Sequence, residues 1–113
     1  MSDGFVEAGW AMVQAANYQA AEKYAKQALE NDPNDVDALS LLARAFYLQY
    51  DFQRAVETNE QLLRLNPRDI QGHLNRVHIA MHRGHYDDSK AAIADFERTF
   101  PKQFELSQSL KAF

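Results

Sequence analysis

The chain has no cysteine, three prolines, four glycines, no excess of positive charge and no long apolar run. Each of these absences removes a class of protein. Without cysteine there is no disulfide framework and no thiolate for metal or redox chemistry. A net charge of -4 gives no support for a nucleic-acid surface, which calls for a basic excess. The apolar stretches are far short of a membrane span, and the opening MSDGFVEAGW lacks the charged and apolar regions of a signal peptide. A glycine-rich phosphate loop and a nucleophile elbow are missing as well, and the carboxylates are scattered over faces expected to be solvated. The expectation is a soluble, cytoplasmic protein without direct membrane insertion, nucleic-acid partner, cofactor or catalytic centre, and so not an enzyme.

What is present is 113 residues, 46% hydrophobic and 25% charged, enough for one domain with its own core. The three prolines are evenly placed at 33, 67 and 101, a step of 34 residues. Other positions keep that step. Tyr18, Phe52 and Tyr86 are aromatic; Ala21, Ala55 and Ser89 are small; Ala28, Leu62 and Phe96 are apolar; Gly9, Ala43 and Val77 begin small and grow. A fixed internal period of this length identifies a repeat architecture.

Within one period the pattern is helical. In VDALSLLARAFYLQY the apolar residues Val36, Leu39, Leu42, Ala43, Phe46 and Tyr50 form a stripe at three- and four-residue spacing. FQRAVETNEQLLRLN gives a second stripe, interrupted by the polar Thr58 and Asn59. Two helices per period follow. The segment ENDPND at residues 30–35 is punctuation between hairpins, because proline has no amide hydrogen and biases its predecessor away from helix. Asp35 and Asp69 then stand where a capping carboxylate would serve the next helix.

On these residues the chain resembles the tetratricopeptide repeat (TPR) family, as one domain over residues 1–113 with repeats at 2–35, 36–69 and 70–103. The resemblance implies an all-α, right-handed solenoid of antiparallel helix hairpins, about seven helices in all. Gly9 or Ala43 is expected to let paired helices approach, with Ala21 or Ala55 doing the same from the second helix. The third repeat departs from the pattern with Arg76 for the usual leucine, Val77 for a small residue and Ser89 for alanine. Ala80 is smaller than its counterparts Met12 and Phe46, so volume is expected to be exchanged between neighbouring places. Residues 104–113, with Leu106, Leu110 and Phe113 at helical spacing, read either as a capping helix or as the start of a truncated further repeat.

The resemblance further implies that first helices line a concave, polypeptide-binding groove. Carried over place by place, it nominates Asp3, Val6, Trp10 and Val13, then Asp37, Ser40, Arg44 and Tyr47, then Gln71, Leu74, His78, Met81 and His82. Of these, Trp10, Tyr47 and Met81 offer large or adaptable apolar contacts, and Arg44 can hold a carboxylate with both arms of its guanidinium. Family members that grip the acidic tails of heat-shock chaperones carry a clamp of lysine, asparagine and arginine. This chain has Val6, Trp10, Leu41, Gln71 and Asn75 there, so no tight binding to such a tail is expected.

All four histidines, at 73, 78, 82 and 85, lie in the third repeat. His78 and His82 in HIAMH have the i, i+4 spacing of a zinc-binding helix, but Ile79 stands where a metalloprotease has its glutamate and no third ligand is evident. No metal site is expected. Residues 1–35 carry six acids against two bases, whereas residues 70–103 carry four acids against five bases. Such asymmetry allows weak head-to-tail self-association. Two functions are consistent with all this: a scaffold that binds a peptide or protein segment in the groove, or a structural spacer or self-associating array with contacts through its end faces.

Overall fold

Four helices are started by short polar side chains. Asn17, Asp35, Asp51 and Asp69 each accept a hydrogen bond from the amide three residues on, those of Ala20, Ala38, Arg54 and Gly72, at 2.9–3.3 Å. Each such cap satisfies one of the amides that a helix leaves unpaired at its start. In the computed structural model, which describes residues 3–84 and 86–101, the helices are α1 Asp3–Gln14, α2 Tyr18–Asn31, α3 Val36–Leu48, α4 Phe52–Leu65, α5 Ile70–His82 and α6 Tyr86–Thr99. The helix expected within residues 104–113 lies outside the described residues.

Every second helix ends two residues before a proline: α2 at Asn31, α4 at Leu65 and α6 at Thr99. The helices then pair as three hairpins, α1 with α2, α3 with α4 and α5 with α6, stacked in order. Inside each hairpin the turn passes through a left-handed residue, at Ala16 (φ 60°), Tyr50 (φ 63°) and Gly84 (φ 73°), again 34 apart. Only Gly84 is the residue type that adopts this conformation without steric cost.

The larger core lies at the first two hairpins. Ala21, Ala25, Leu41, Leu42, Ala45, Phe46 and Ala55 are buried together, joined by Ile79 from α5. A smaller cluster of Val77, Ala92 and Phe96 holds the third hairpin together. Gly9 owes its size to α3 and not to its own hairpin partner: a Cβ there would stand 2.2 Å from Leu41 Cδ2. Gly72 plays the same part between α4 and α5, where a Cβ would meet Leu63 Cδ2 at 2.6 Å.

Departures in the third repeat are compensated in part. Arg76, in place of leucine, reaches Glu60 of α4 at 3.2 Å and Asp95 of α6 at 3.6 Å, so an ion pair ties three helices where an apolar side chain would have packed. Beside it Asn59 donates to the Gly72 carbonyl at 2.7 Å and accepts from the Asn75 amide at 3.3 Å, all buried. The small Ala80 is not offset by a larger neighbour, and an open pocket of about 350 Å³ remains beside it.

Candidate functional site

The first helices α1, α3 and α5 adjoin one another in sequence along one face of the stack. With 3.6 residues per turn, Arg44 and Tyr47 of α3 share a face, as do Leu74, His78, Met81 and His82 of α5. The structure brings four of these into one cluster. The Tyr47 hydroxyl lies 2.8 Å from His82 Nδ1, the Tyr47 ring stacks on His78 with centroids 6.4 Å apart, and the Arg44 guanidinium lies 5.8 Å from the centre of the Tyr47 ring. The direction of this hydrogen bond follows the tautomer of the imidazole. Phe52 supports Tyr47 from the hairpin turn, with ring centroids 6.1 Å apart.

Burial shapes the electrostatics. It pushes the Tyr47 hydroxyl above its ordinary range, against a smaller opposite pull from Arg44. Burial also holds His78 below the ordinary histidine range, and the nearby Arg44 and His82 push it the same way. At neutral pH the cluster therefore presents the Arg44 cation beside the neutral His78 imidazole and the Tyr47 phenol. Such a surface has one strong donor for a carboxylate and two aromatic faces for apolar or planar groups.

The other nominated residues are placed as follows. Trp10 and Val13 are half-buried against the larger core, and Leu74 and Met81 against the smaller one. Val6 is half-buried, Ser40 is buried, and Asp37 and Gln71 are exposed; Asp3 opens α1. The histidines divide. His73 is buried, its Nε2–H donating to the Pro67 carbonyl at 2.8 Å while its ring meets Phe100 edge-on, whereas His78 and His82 face Tyr47. His85 lies outside the described residues. Among the described residues no three histidine, aspartate or glutamate side chains converge to hold a metal ion, and no helix is long and apolar enough to cross a membrane.

A family model described as "Tetratricopeptide repeat" matches residues 6–70, more than half of the chain. The chain belongs to the tetratricopeptide repeat family. Among curated proteins none matches it by sequence. Solved TPR structures share the fold at low identity. The first TPR domain of human RPAP3 superposes with a TM-score of 0.87 at 17% identity, covering 99% of this chain and 88% of that one. The Yersinia enterocolitica type III secretion chaperone SycD, in complex with a peptide of the translocator YopD, gives 0.86 at 12%, covering 97% and 86%. The first TPR of Spaghetti (RPAP3), bound to the HSP90 peptide SRMEEVD, gives 0.85 at 16%, covering 98% and 90%.

Of the places where the resemblance puts an acidic-tail clamp, Leu41 is fully buried, and Asn75 is buried and turned to Asn59 of α4. Neither is available to an incoming carboxylate.

Proposed function

We propose that this TPR domain is a protein-interaction scaffold that holds a segment of a partner polypeptide along the face formed by α1, α3 and α5. Its centre of contact is Arg44, Tyr47, His78 and His82, with Val6, Trp10, Val13, Leu74 and Met81 supplying apolar surface on either side. The observation that carries this reading is the Arg44–Tyr47–His78–His82 cluster itself. It spans two repeats and leaves a cation and aromatic groups partly open, with no internal ion pair to Arg44 among the described residues. Aromatic and arginine side chains are the residues that most often dominate binding energy at interfaces. Two structurally similar TPR proteins hold peptides, one from YopD and one from HSP90, which supports the same class of ligand here. Binding, and not catalysis, is the activity proposed.

The test is a selection from a displayed random-peptide library on the intact chain. Peptides enriched by the wild type should be lost with Arg44→Glu and with His78→Ala, while Gln53→Ala on α4 leaves them unchanged and all variants keep their helical circular dichroism. Enrichment indifferent to both groove variants would refute groove recognition.

A further inference from the structure

The 34-residue period allows the two junctions between repeats to be compared residue by residue. At the first junction Phe46 of α3 fills the space between α2 and α4. Lys26 of α2 lies 5.7 Å from the centre of its ring and Arg54 of α4 lies 5.9 Å from it. Beside the ring, Glu22 accepts from Lys26 at 2.6 Å and from Gln49 at 2.9 Å, closing the surface.

At the second junction every one of these parts is changed. The counterpart of Phe46 is Ala80; those of Lys26 and Arg54 are the acids Glu60 and Asp88; those of Glu22 and Gln49 are Val56 and Arg83. The ring is gone and the bridge over it cannot form, since Val56 stands at the place of the Glu22 carboxylate. All five replacements line the open pocket of about 350 Å³ between α4 and α6, floored by α5. Among the described residues no side chain takes the place of that ring, and the pocket there is open to solvent.

We infer that this pocket is a second binding site, separate from the α1–α3–α5 face, which takes an aromatic side chain bearing an N–H or O–H donor, tyrosine or tryptophan, from a partner polypeptide. Size and shape come from the filled first junction, where the same fold closes around Phe46. The walls are apolar at Val56, Ile79, Ala80 and Ala92, so a ring gains by leaving water there. The preference for a donor-bearing ring comes from the rim. Two carboxylates, Glu60 and Asp88, stand where the first junction has two cations, and Glu60, which takes Arg76 at 3.2 Å, keeps further lone pairs for a phenol or an indole. Arg83 has no partner among the described residues, and it joins Arg76 as a cation beside the ring.

The experiment is NMR titration of the intact chain with N-acetyl-tyrosinamide, and with N-acetyl-phenylalaninamide and N-ethylguanidinium for comparison. The tyrosine probe is expected to shift the resonances of Ile79, Ala80, Ala91 and Ala92 saturably, at a dissociation constant on the order of 1 mM for so small a ligand. Phenylalanine should bind at least about 3-fold more weakly for want of a donor. Ala80→Phe restores the first junction's ring and should abolish the shifts. Ala91→Leu, which narrows the pocket from an exposed position, should do the same even where the larger substitution disturbs the fold. Shifts that persist in both variants, or that fall on Tyr47 and His78, would overturn the proposal. Tighter binding of ethylguanidinium would overturn the aromatic class in favour of a basic side chain. Concentration-dependent shifts of the pocket without any probe, removed by Tyr50→Ala, would replace the partner by the exposed tyrosine of a second copy.

Discussion

The buried pair Asn59–Asn75 gives a quantitative test of how the second and third repeats are joined. One repeat earlier the place of Asn59 is taken by Ala25, and one repeat later by Ile93, so an amide here departs from the repeat's own pattern. It is 1% exposed, donates to the Gly72 carbonyl and accepts from Asn75, itself 4% exposed. Asn59→Ala removes two neutral hydrogen bonds, worth about 1 kcal/mol each net, and leaves the Asn75 amide enclosed without its acceptor, at about 1–3 kcal/mol more. The expected loss is about 3–5 kcal/mol, a large part of the about 5–15 kcal/mol by which such a domain is stable. Asn75→Ala removes one bond and orphans the Asn59 oxygen, for about 2–4 kcal/mol. In the double variant neither orphan remains and the shared bond is lost only once, so its loss should fall short of the sum by at least about 3 kcal/mol. Urea denaturation followed by far-ultraviolet circular dichroism, with m-values compared across the four proteins, measures the coupling. Coupling below about 0.5 kcal/mol, the scatter expected of independent sites, would refute the claim that the pair bridges α4 and α5.

Ala16 is exposed and left-handed, so Ala16→Gly should stabilise by about 0.5–1 kcal/mol, strain relief outweighing the added freedom of the unfolded chain; a lower thermal midpoint would contradict this. His78 has a depressed pKa in the folded state, so below the ordinary histidine value of about 6.5 the unfolded chain binds the extra proton first. Stability should therefore fall as pH drops through about 6.5 and level off below the folded pKa. His78→Gln should flatten that slope in thermal melts between about pH 5 and 7.5, and an unchanged slope would show that another group carries it. Titration with the peptide SRMEEVD should show no binding tighter than about 100 μM at physiological salt, because Leu41 and Asn75 are buried where a clamp would need donors. A micromolar, salt-sensitive isotherm would refute this.

The hairpins were legible because their boundaries are written in backbone chemistry. A proline without an amide hydrogen and a carboxylate one residue before a helix act locally, and Pro33, Pro67, Asp35 and Asp69 do in the structure what their types dictate. Asn17 and Asp51 cap α2 and α4 in the same way and repeat at the same step, a signal present in the sequence but overshadowed by the aromatic residue that follows each. The left-handed turns were not legible at Ala16 and Tyr50, since neither residue type favours that conformation and only Gly84 marks the place. Asn59 read as a break in the apolar stripe of α4. A buried amide becomes favourable only when a partner on another helix meets it, and no one-dimensional pattern encodes Asn75 at that point. Likewise the resemblance placed Arg44, Tyr47, His78 and His82 along the groove, while their mutual contacts needed the packing of α3 against α5.

The two proposed sites share one helix and yet can be occupied independently. On α5 the groove uses residues 74, 78 and 82, a stripe at i, i+4, i+8; the pocket uses 76, 79, 80 and 83, displaced by about half a turn. Side chains on these two stripes diverge from the helix axis, and a ligand on one face meets the other only through the α5 backbone, about 10 Å of helix thickness away. The same displacement explains why the third repeat tolerates its departures. Arg76, Ala80 and Arg83 all fall on the pocket stripe, so the loss of a leucine and an aromatic ring there leaves the groove stripe intact. Val77 and Phe96 still bind α5 to α6 from a third direction. An array that had lost only packing would be expected to soften on every side of the helix. Here Arg76, Ala80 and Arg83 lie on the side that opens to solvent between α4 and α6, while the further departures Val77 and Ser89 are buried and do not line the pocket, so the opening is local to a hairpin that stays packed.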